Sequence, residues 1–233
     1  MIKLEAENFM LIFTGFYSLI EKMKKKPLVI VGNGLFAEEI SDLISTTGKY
    51  EIIAFIEGID RAKCNRLHDE IPVLWVDDIR DLNQETKFIG AIGSPKRNGI
   101  IKKLQQKGYC FTSFIHPSST VFPSAVIGEG SVIGINSIIS AKTAIGRHTI
   151  INRGCLIGHH VRIGNFVTVS PGANIAGKVI VNDGAYIGMG SIIIDGITVG
   201  TNSIVGAGAV VTKNVPDNVL VVGVPARITK SLV

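Results

Sequence analysis

An α/β N-terminal domain followed by an all-β parallel β-helix is the fold class this sequence predicts, and three observations predict it. Near the start, PLVIVGNGLFAEEISDLI (Pro27 to Ile44) reads as a buried strand, a glycine turn and an amphipathic helix. From Val121 onward every sixth residue is Ile or Val, sixteen times without insertion, ending at Val211. Aromatics make up only 6% while glycines number 26, so the core is built from Ile, Val and Ala.

The first strand is Leu28 to Val31, the turn is Gly32-x-Gly34-x-x-Ala37, and Ile40, Leu43 and Ile44 repeat at helical spacing. A second strand, YEIIAFIEG, carries Glu57 at 20 residues past Ala37, where a dinucleotide fingerprint places an acid for a ribose hydroxyl. Later strand candidates are Val73 to Val76, KFIGAIG (Lys87 to Gly93) and CFTSFI (Cys110 to Ile115), with one helix, RNGIIKKLQQKG, between the last two. A full dinucleotide fold needs two βαβαβ halves, and about 85 residues hold only one. The half-Rossmann unit therefore accepts the phosphates of one nucleotide or sugar nucleotide on its helix N-terminus, or its glycines serve strand-helix packing alone.

The repeat half runs Val121, Ile127, Ile133, Ile139 and so on through Val205 to Val211. Four residues after each comes a small or β-branched residue, such as Ser131, Thr143, Cys155 or Val161, and Gly often follows the Ile. A β-branched residue favours a pleated strand, and a Gly or Asn beside it allows a tight corner. No six-residue unit buries its own Ile; stacked units bury a continuous ladder, at roughly 1.5–3 kcal/mol for each side chain. Outward apolar residues, such as Ile138, Ile150 and Ile180, require covering, which predicts an oligomer.

Charge and cysteines narrow the class. A net charge of +5 without basic-aromatic stripes argues against nucleic acid and suits a phosphate-bearing partner. Three separated cysteines, Cys64, Cys110 and Cys155, form neither a disulfide framework nor a metal motif, and a reducing cytoplasm fits them. The apolar run Phe9 to Ile20 falls short of the about 20 residues of a transmembrane helix, and its lysines follow rather than precede it. It is either a short docking helix or an extension upstream of a natural start at Met23.

The hexapeptide ladder, the half-Rossmann unit before it, the IHPSS junction (Ile115 to Ser119) and the closing VVGVPAR (Val221 to Arg227) together resemble the NeuD/PglD-type sugar O/N-acetyltransferases. The resemblance covers Pro27 to Val233. It implies three parts: an N-terminal extension (1–26), a Rossmann-like nucleotide-sugar-binding domain (27–114) and a left-handed β-helix acetyltransferase domain (115–233). It further implies a homotrimer with acetyl-CoA in the groove between two prisms, no metal, and a UDP- or GDP-linked 4-amino-deoxy sugar as acceptor in surface glycan or lipopolysaccharide synthesis. O-acetylation of a sialic-acid-type sugar and an inactive scaffold or sensor are the alternatives.

Site residues carry over with the resemblance. His159 matches the family's general base, and His160 stands where the family usually has an Asp or Glu; either another acid, such as Glu129 or Asp195 from a neighbouring coil or subunit, takes that role, or the base is weaker. Asn152 falls near the acetyl group, and Gly177, Met189 and Ala207 fall along the CoA groove, with corner packing as the other reading. Gly32, Gly34, Glu57 and Ser94 are the expected substrate-binding residues. Leu35 and Phe36 stand where the family often has Gly-His, and His116 is expected to cap the domain junction.

Overall fold

The computed structural model describes residues 25–64, 67–68, 70–80, 82–83 and 85–233. Apart from Lys25 and Lys26, the expected N-terminal extension, with Phe9 to Ile20 and Met23, lies outside the described residues.

The first domain is a five-stranded sheet. Strand β1 (Lys26–Val31) is followed by helix α1 (Leu35–Ser45), β2 (Tyr50–Glu57), β3 (Leu67–His68), β4 (Ile71–Trp75), β5 (Lys87–Gly90) and helix α2 (Asn98–Gln106). The order across the sheet is β3-β4-β2-β1-β5, parallel except for the β3–β4 edge. Leu28 to Val31 are wholly buried, as a central parallel strand covered on both faces requires. The expected strand CFTSFI forms only one bridge, Phe88 to Phe111, before the chain leaves for the second domain. Its last residues, β6 (Phe114–Ile115), already pair with a strand of the solenoid at Val132–Ile133, so the expected division at 114/115 falls inside that strand.

From Thr120–Val121 to Val210–Val211, sixteen two-residue strands recur every six residues and are dealt in turn to three parallel faces. Along each face a strand pairs with the one a turn later, Ile139 on Ile157, Ile145 on Ile163, Ile151 on Val169, until two of the faces end at Val199 and Val211. The Ile/Val ladder and the small residue four positions on fill one continuous core. Polar members of that second set are satisfied: the hydroxyls of Ser131, Ser137, Thr143 and Thr149 each donate to a carbonyl at 2.7 Å.

The glycine after the Ile does a different job from the one expected. The left-handed corner position falls two residues later, and Asn136, Lys142, His160 and Lys178 occupy it as readily as glycines do. Gly158, by contrast, is needed for stacking, because a Cβ there would lie 2.7 Å from the Ala176 carbonyl carbon and from the Gly177 nitrogen. The corner tolerates side chains; the coil spacing does not.

Helix α1 packs on the solenoid face that carries Val132 and Ile150, and these two share a core cluster with Leu28, Ile40, Ile44 and Ile89. Ile150 is therefore buried beneath the first domain, not outward as its period suggests, whereas Ile138 and Ile180 remain 39% and 38% exposed. His116 sits at this junction as expected, its Nδ1 2.8 Å from Ser118 Oγ and its Nε2 3.5 Å from Thr46 Oγ1 after α1.

Candidate active site

A cavity of about 780 Å³ opens at the carboxyl ends of β1, β2 and β5, where ligands bind in open parallel sheets. Gly32, Gly34, Glu57 and Ser94, all four expected substrate residues, line it, together with Lys63, Lys96 and Lys103. Their individual roles differ. Gly32 has φ +120°, and a Cβ there would lie 2.9 Å from the Ala91 carbonyl oxygen and from Ile92 Cγ1, so it is a packing glycine. Gly34 is extended and nothing stands within 4 Å of its missing Cβ, so it leaves open space at the start of α1. No side chain caps that helix, and its first residues, Leu35 to Ala37, line the cavity, which makes the helix start a place for an anion.

Glu57 is buried, and its Oε1 accepts the backbone N–H groups of Gly58, Ile59 and Asp60 at 2.8, 2.6 and 3.1 Å. One carboxylate oxygen is thus committed to ordering its own loop, leaving the other for a ligand. Ser94 Oγ accepts the Lys96 N–H at 3.3 Å and starts a 3₁₀ turn at Pro95–Arg97.

A second cavity of about 550 Å³ shares Phe36, Gly93 and Ser94 with the first and continues onto the solenoid at Asn152, Thr168, Ser170, Tyr186 and Met189. Asn152 and Met189 therefore meet the first cavity through Phe36. Ala207 sits one coil beyond Met189 on the same edge, where the Gly208 N–H bonds the Met189 carbonyl at 2.8 Å. Met189 is 55% exposed, and Gly190 and Gly208 have nothing within 4 Å of a built Cβ, so this edge is a side-chain-poor track suited to a long, thin ligand.

The histidine pair lies on another edge. Cys155 and Val161 point inward and are wholly buried, while His159 and His160 at the corner between them are exposed. Their Nδ1 atoms are 3.1 Å apart, so one donates and the other accepts, and the rings meet edge-on. Gly177 and Asp195 continue the same corner in the next two coils, and a Cβ on Gly177 would lie 2.8 Å from His159 Nε2 and 2.9 Å from Asp195 Oδ1. Glu129 belongs to the third edge, where its carbonyl accepts the His148 N–H, and is not brought to His159 within this chain. One chain thus gathers the four expected substrate residues with Asn152 and Met189, and sets His159, His160 and Gly177 apart from them.

Arg97, which the sequence did not single out, joins the two domains. It is 1% exposed and forms part of the first cavity's wall. Its guanidinium donates to the carbonyls of His148 (2.7 and 3.0 Å), Val167 (2.7 Å) and Ser94 (3.1 Å), and to Thr168 Oγ1 (2.7 Å), which in turn donates to the Gly93 carbonyl. Burial pulls its pKa down to about 9. A basic residue after Ser-Pro-Lys reads as surface, and no spacing signal marks it otherwise. Among the described residues no cluster of side chains suits a metal, and no helix is long and apolar enough to cross a membrane.

The PglD N-terminal domain family matches residues 27–104. Among solved structures the chain is similar to PerB from Caulobacter crescentus in complex with CoA and GDP-perosamine, with 32% identity and a TM-score of 0.79 over 88% of this chain and 97% of that one. It is similar to the acetyltransferase domain of PglB from Neisseria gonorrhoeae in complex with acetyl coenzyme A, at 27% identity and TM-score 0.80 over 88% and 100% of the two chains. WeeI from Acinetobacter baumannii is 28% identical, with a TM-score of 0.78 over 87% and 99%. No curated protein matches the chain.

Proposed function

This chain belongs to the NeuD/PglD-type family of hexapeptide-repeat sugar acetyltransferases, and from that premise we propose what it acetylates and how its residues act. It is an acetyl-CoA-dependent N-acetyltransferase whose acceptor is the amino group of a nucleotide-linked sugar. We assign the acceptor as a UDP- or GDP-linked 4-amino-deoxy sugar, made for surface glycan or lipopolysaccharide. The observation that carries this is the continuity of the two cavities: a basic one at a glycine turn, opening past Phe36 onto the solenoid edge at Asn152 and Met189.

Lys63, Lys96 and the α1 N-terminus attract the diphosphate, Gly34 leaves it room, and the free oxygen of Glu57 accepts from the nucleoside. The bare edge at Met189, Gly190, Ala207 and Gly208 accepts the pantetheine arm, and acetyl-CoA supplies the thioester. His159, as general base, takes one proton from the amine as its nitrogen bonds the acetyl carbon. The carbon–sulfur bond breaks and that proton passes to the CoA thiolate. The Gly177 backbone stands beside His159 to steady the oxyanion. Because His159 and Met189 occupy different edges, we propose a homotrimer in which a second copy brings them together. Its three thiols are free, which fits the reducing cytoplasm we assign it to.

A panel of UDP- and GDP-linked sugars bearing 4-amino or 4-hydroxyl groups, offered with acetyl-CoA and scored by free thiol release, tests the assignment. We expect turnover with a 4-amino acceptor only. Turnover confined to hydroxyl acceptors would overturn it.

A further inference from the structure

The family's acid after the base is missing, and the corner that carries His159 holds another. Coils stack in register, Ile157 on Ile175 and Ile175 on Ile193, so Gly177 overlies His159 and Asp195 overlies Gly177. The His159 imidazole and the Asp195 carboxylate converge on the space where Gly177 lacks a side chain: a Cβ there would lie 2.8 Å from one and 2.9 Å from the other. Any larger residue at 177 would stand between them.

The neighbouring column has the opposite charge. Lys142, His160 and Lys178 share the left-handed corner position in three successive coils, and both lysines are exposed ammonium groups beside His160. Positive charge forming on His159 faces a carboxylate, whereas on His160 it would sit between two cations. Nδ1 of His159 is engaged with His160, which leaves Nε2, the nitrogen on the Gly177 side, to take the proton. Among the described residues Asp195 forms no ion pair within 4 Å, so its charge is not already spent on a lysine or arginine.

We propose that Asp195 is the positioning residue for His159: across the gap over Gly177 its carboxylate faces Nε2, and it balances and orients the imidazolium once that nitrogen has taken the proton during transfer. The proposal rests on His159 being the base. Asp195 and His159 are both exposed, so their variants fold. In steady-state assays with acetyl-CoA and the amino-sugar nucleotide, Asp195→Asn is expected to lower kcat by about 10–100-fold, the range for carboxylates that support a functional imidazole. Both KM values should stay within about twofold, since no ground-state contact is lost. Asp195→Glu should recover most of the loss. If His159→Ala is inactive but Asp195→Asn keeps the parent kcat, this proposal fails and the base stands. If His159→Ala turns over normally, the base assignment itself fails. A raised acetyl-CoA KM at unchanged kcat would make Asp195 a substrate contact and overturn the positioning role.

Discussion

Gly32 and Gly34, two residues apart in one turn, meet different physical demands, and a pair of substitutions separates them. Gly32 combines φ +120° with a backbone oxygen 2.9 Å from where its Cβ would go, so Gly32→Ala strains the fold and should cost about 1–3 kcal/mol in denaturant unfolding. Gly34 is extended with open space around it, so Gly34→Val should leave the melting temperature unchanged while raising the nucleotide-sugar KM by about tenfold or more and sparing acetyl-CoA. Equal loss of both affinities together with a lower melting temperature would reduce Gly34 to packing. The same logic applies at the histidine corner. His159 is exposed, so His159→Ala should change stability by no more than about 0.5 kcal/mol. Its kcat should nevertheless fall by about 10²–10⁴-fold with acetyl-CoA binding retained, and a folded variant with parent turnover would remove His159 from the chemistry. His160 has φ +58°, so His160→Asn, which tolerates the left-handed region, is the cleaner variant there and should cost less activity than His159→Ala.

At the scale of elements, α2 and the third solenoid edge are joined by two buried groups, and their titration makes a measurable difference. His148 is 2% exposed, stacks on Phe166 and lies 3.2 Å from Gln105 Nε2. Burial first, then the charges of Arg97 and Arg147, lower its pKa from 6.5 to about 4. Between those values the unfolded chain binds a proton that the folded one does not. Stability is therefore full above about pH 6.5 and is lost as pH falls toward 4, by on the order of 3 kcal/mol. Urea midpoints at pH 7 and pH 4.5 should show this loss, and His148→Asn should flatten it; an unchanged slope would place the acid sensitivity elsewhere. Arg97→Lys should destabilise by about 3 kcal/mol or more at pH 7, because three donors cannot serve the carbonyls of His148, Val167 and Ser94 and also Thr168. None of this was legible beforehand: His148 shares its corner position with Asn136, Lys142 and His160, and what sets it and Arg97 apart are partners across the domain junction, 43 to 71 residues away, that appear only once the domains dock. The ladder was legible because each Ile or Val repeats the same local demand sixteen times, and it placed Cys155 inward and His159 outward. Periodicity could not say that α1 covers one face, which is why Ile150 was misread while Ile138 was not.

For the whole molecule, the uncovered face and the divided site point to one arrangement. The solenoid face that carries Ile138, Leu156 and Ile192 keeps these side chains 39%, 44% and 43% exposed; Leu156 stacks on Ile138, and Ile192 follows two coils on, past Asn174. A flat parallel sheet with an aliphatic stripe is unfavourable in water, and a second copy of the chain covers it at the lowest conformational cost. The site argues the same way from chemistry, because His159 and Gly177 stand on a different edge from Asn152, Met189 and Ala207, and rotation about a threefold axis sets one edge of a prism against another edge of its neighbour. Light scattering should therefore give about 75 kDa, three times the 24.9 kDa chain. Leu156→Glu places a carboxylate in the middle of the stripe and should yield a monomer that still unfolds cooperatively, since Leu156 lies outside the ladder core. That monomer should still bind the nucleotide sugar in the 780 Å³ cavity, which one chain completes alone, yet show no acetyl transfer. Mixing it with a His159→Ala chain under conditions that exchange subunits would not restore activity unless mixed trimers form. A Leu156→Glu monomer that transfers acetyl groups at the parent rate would show that a single chain holds the whole site, and the intersubunit arrangement would fall with it.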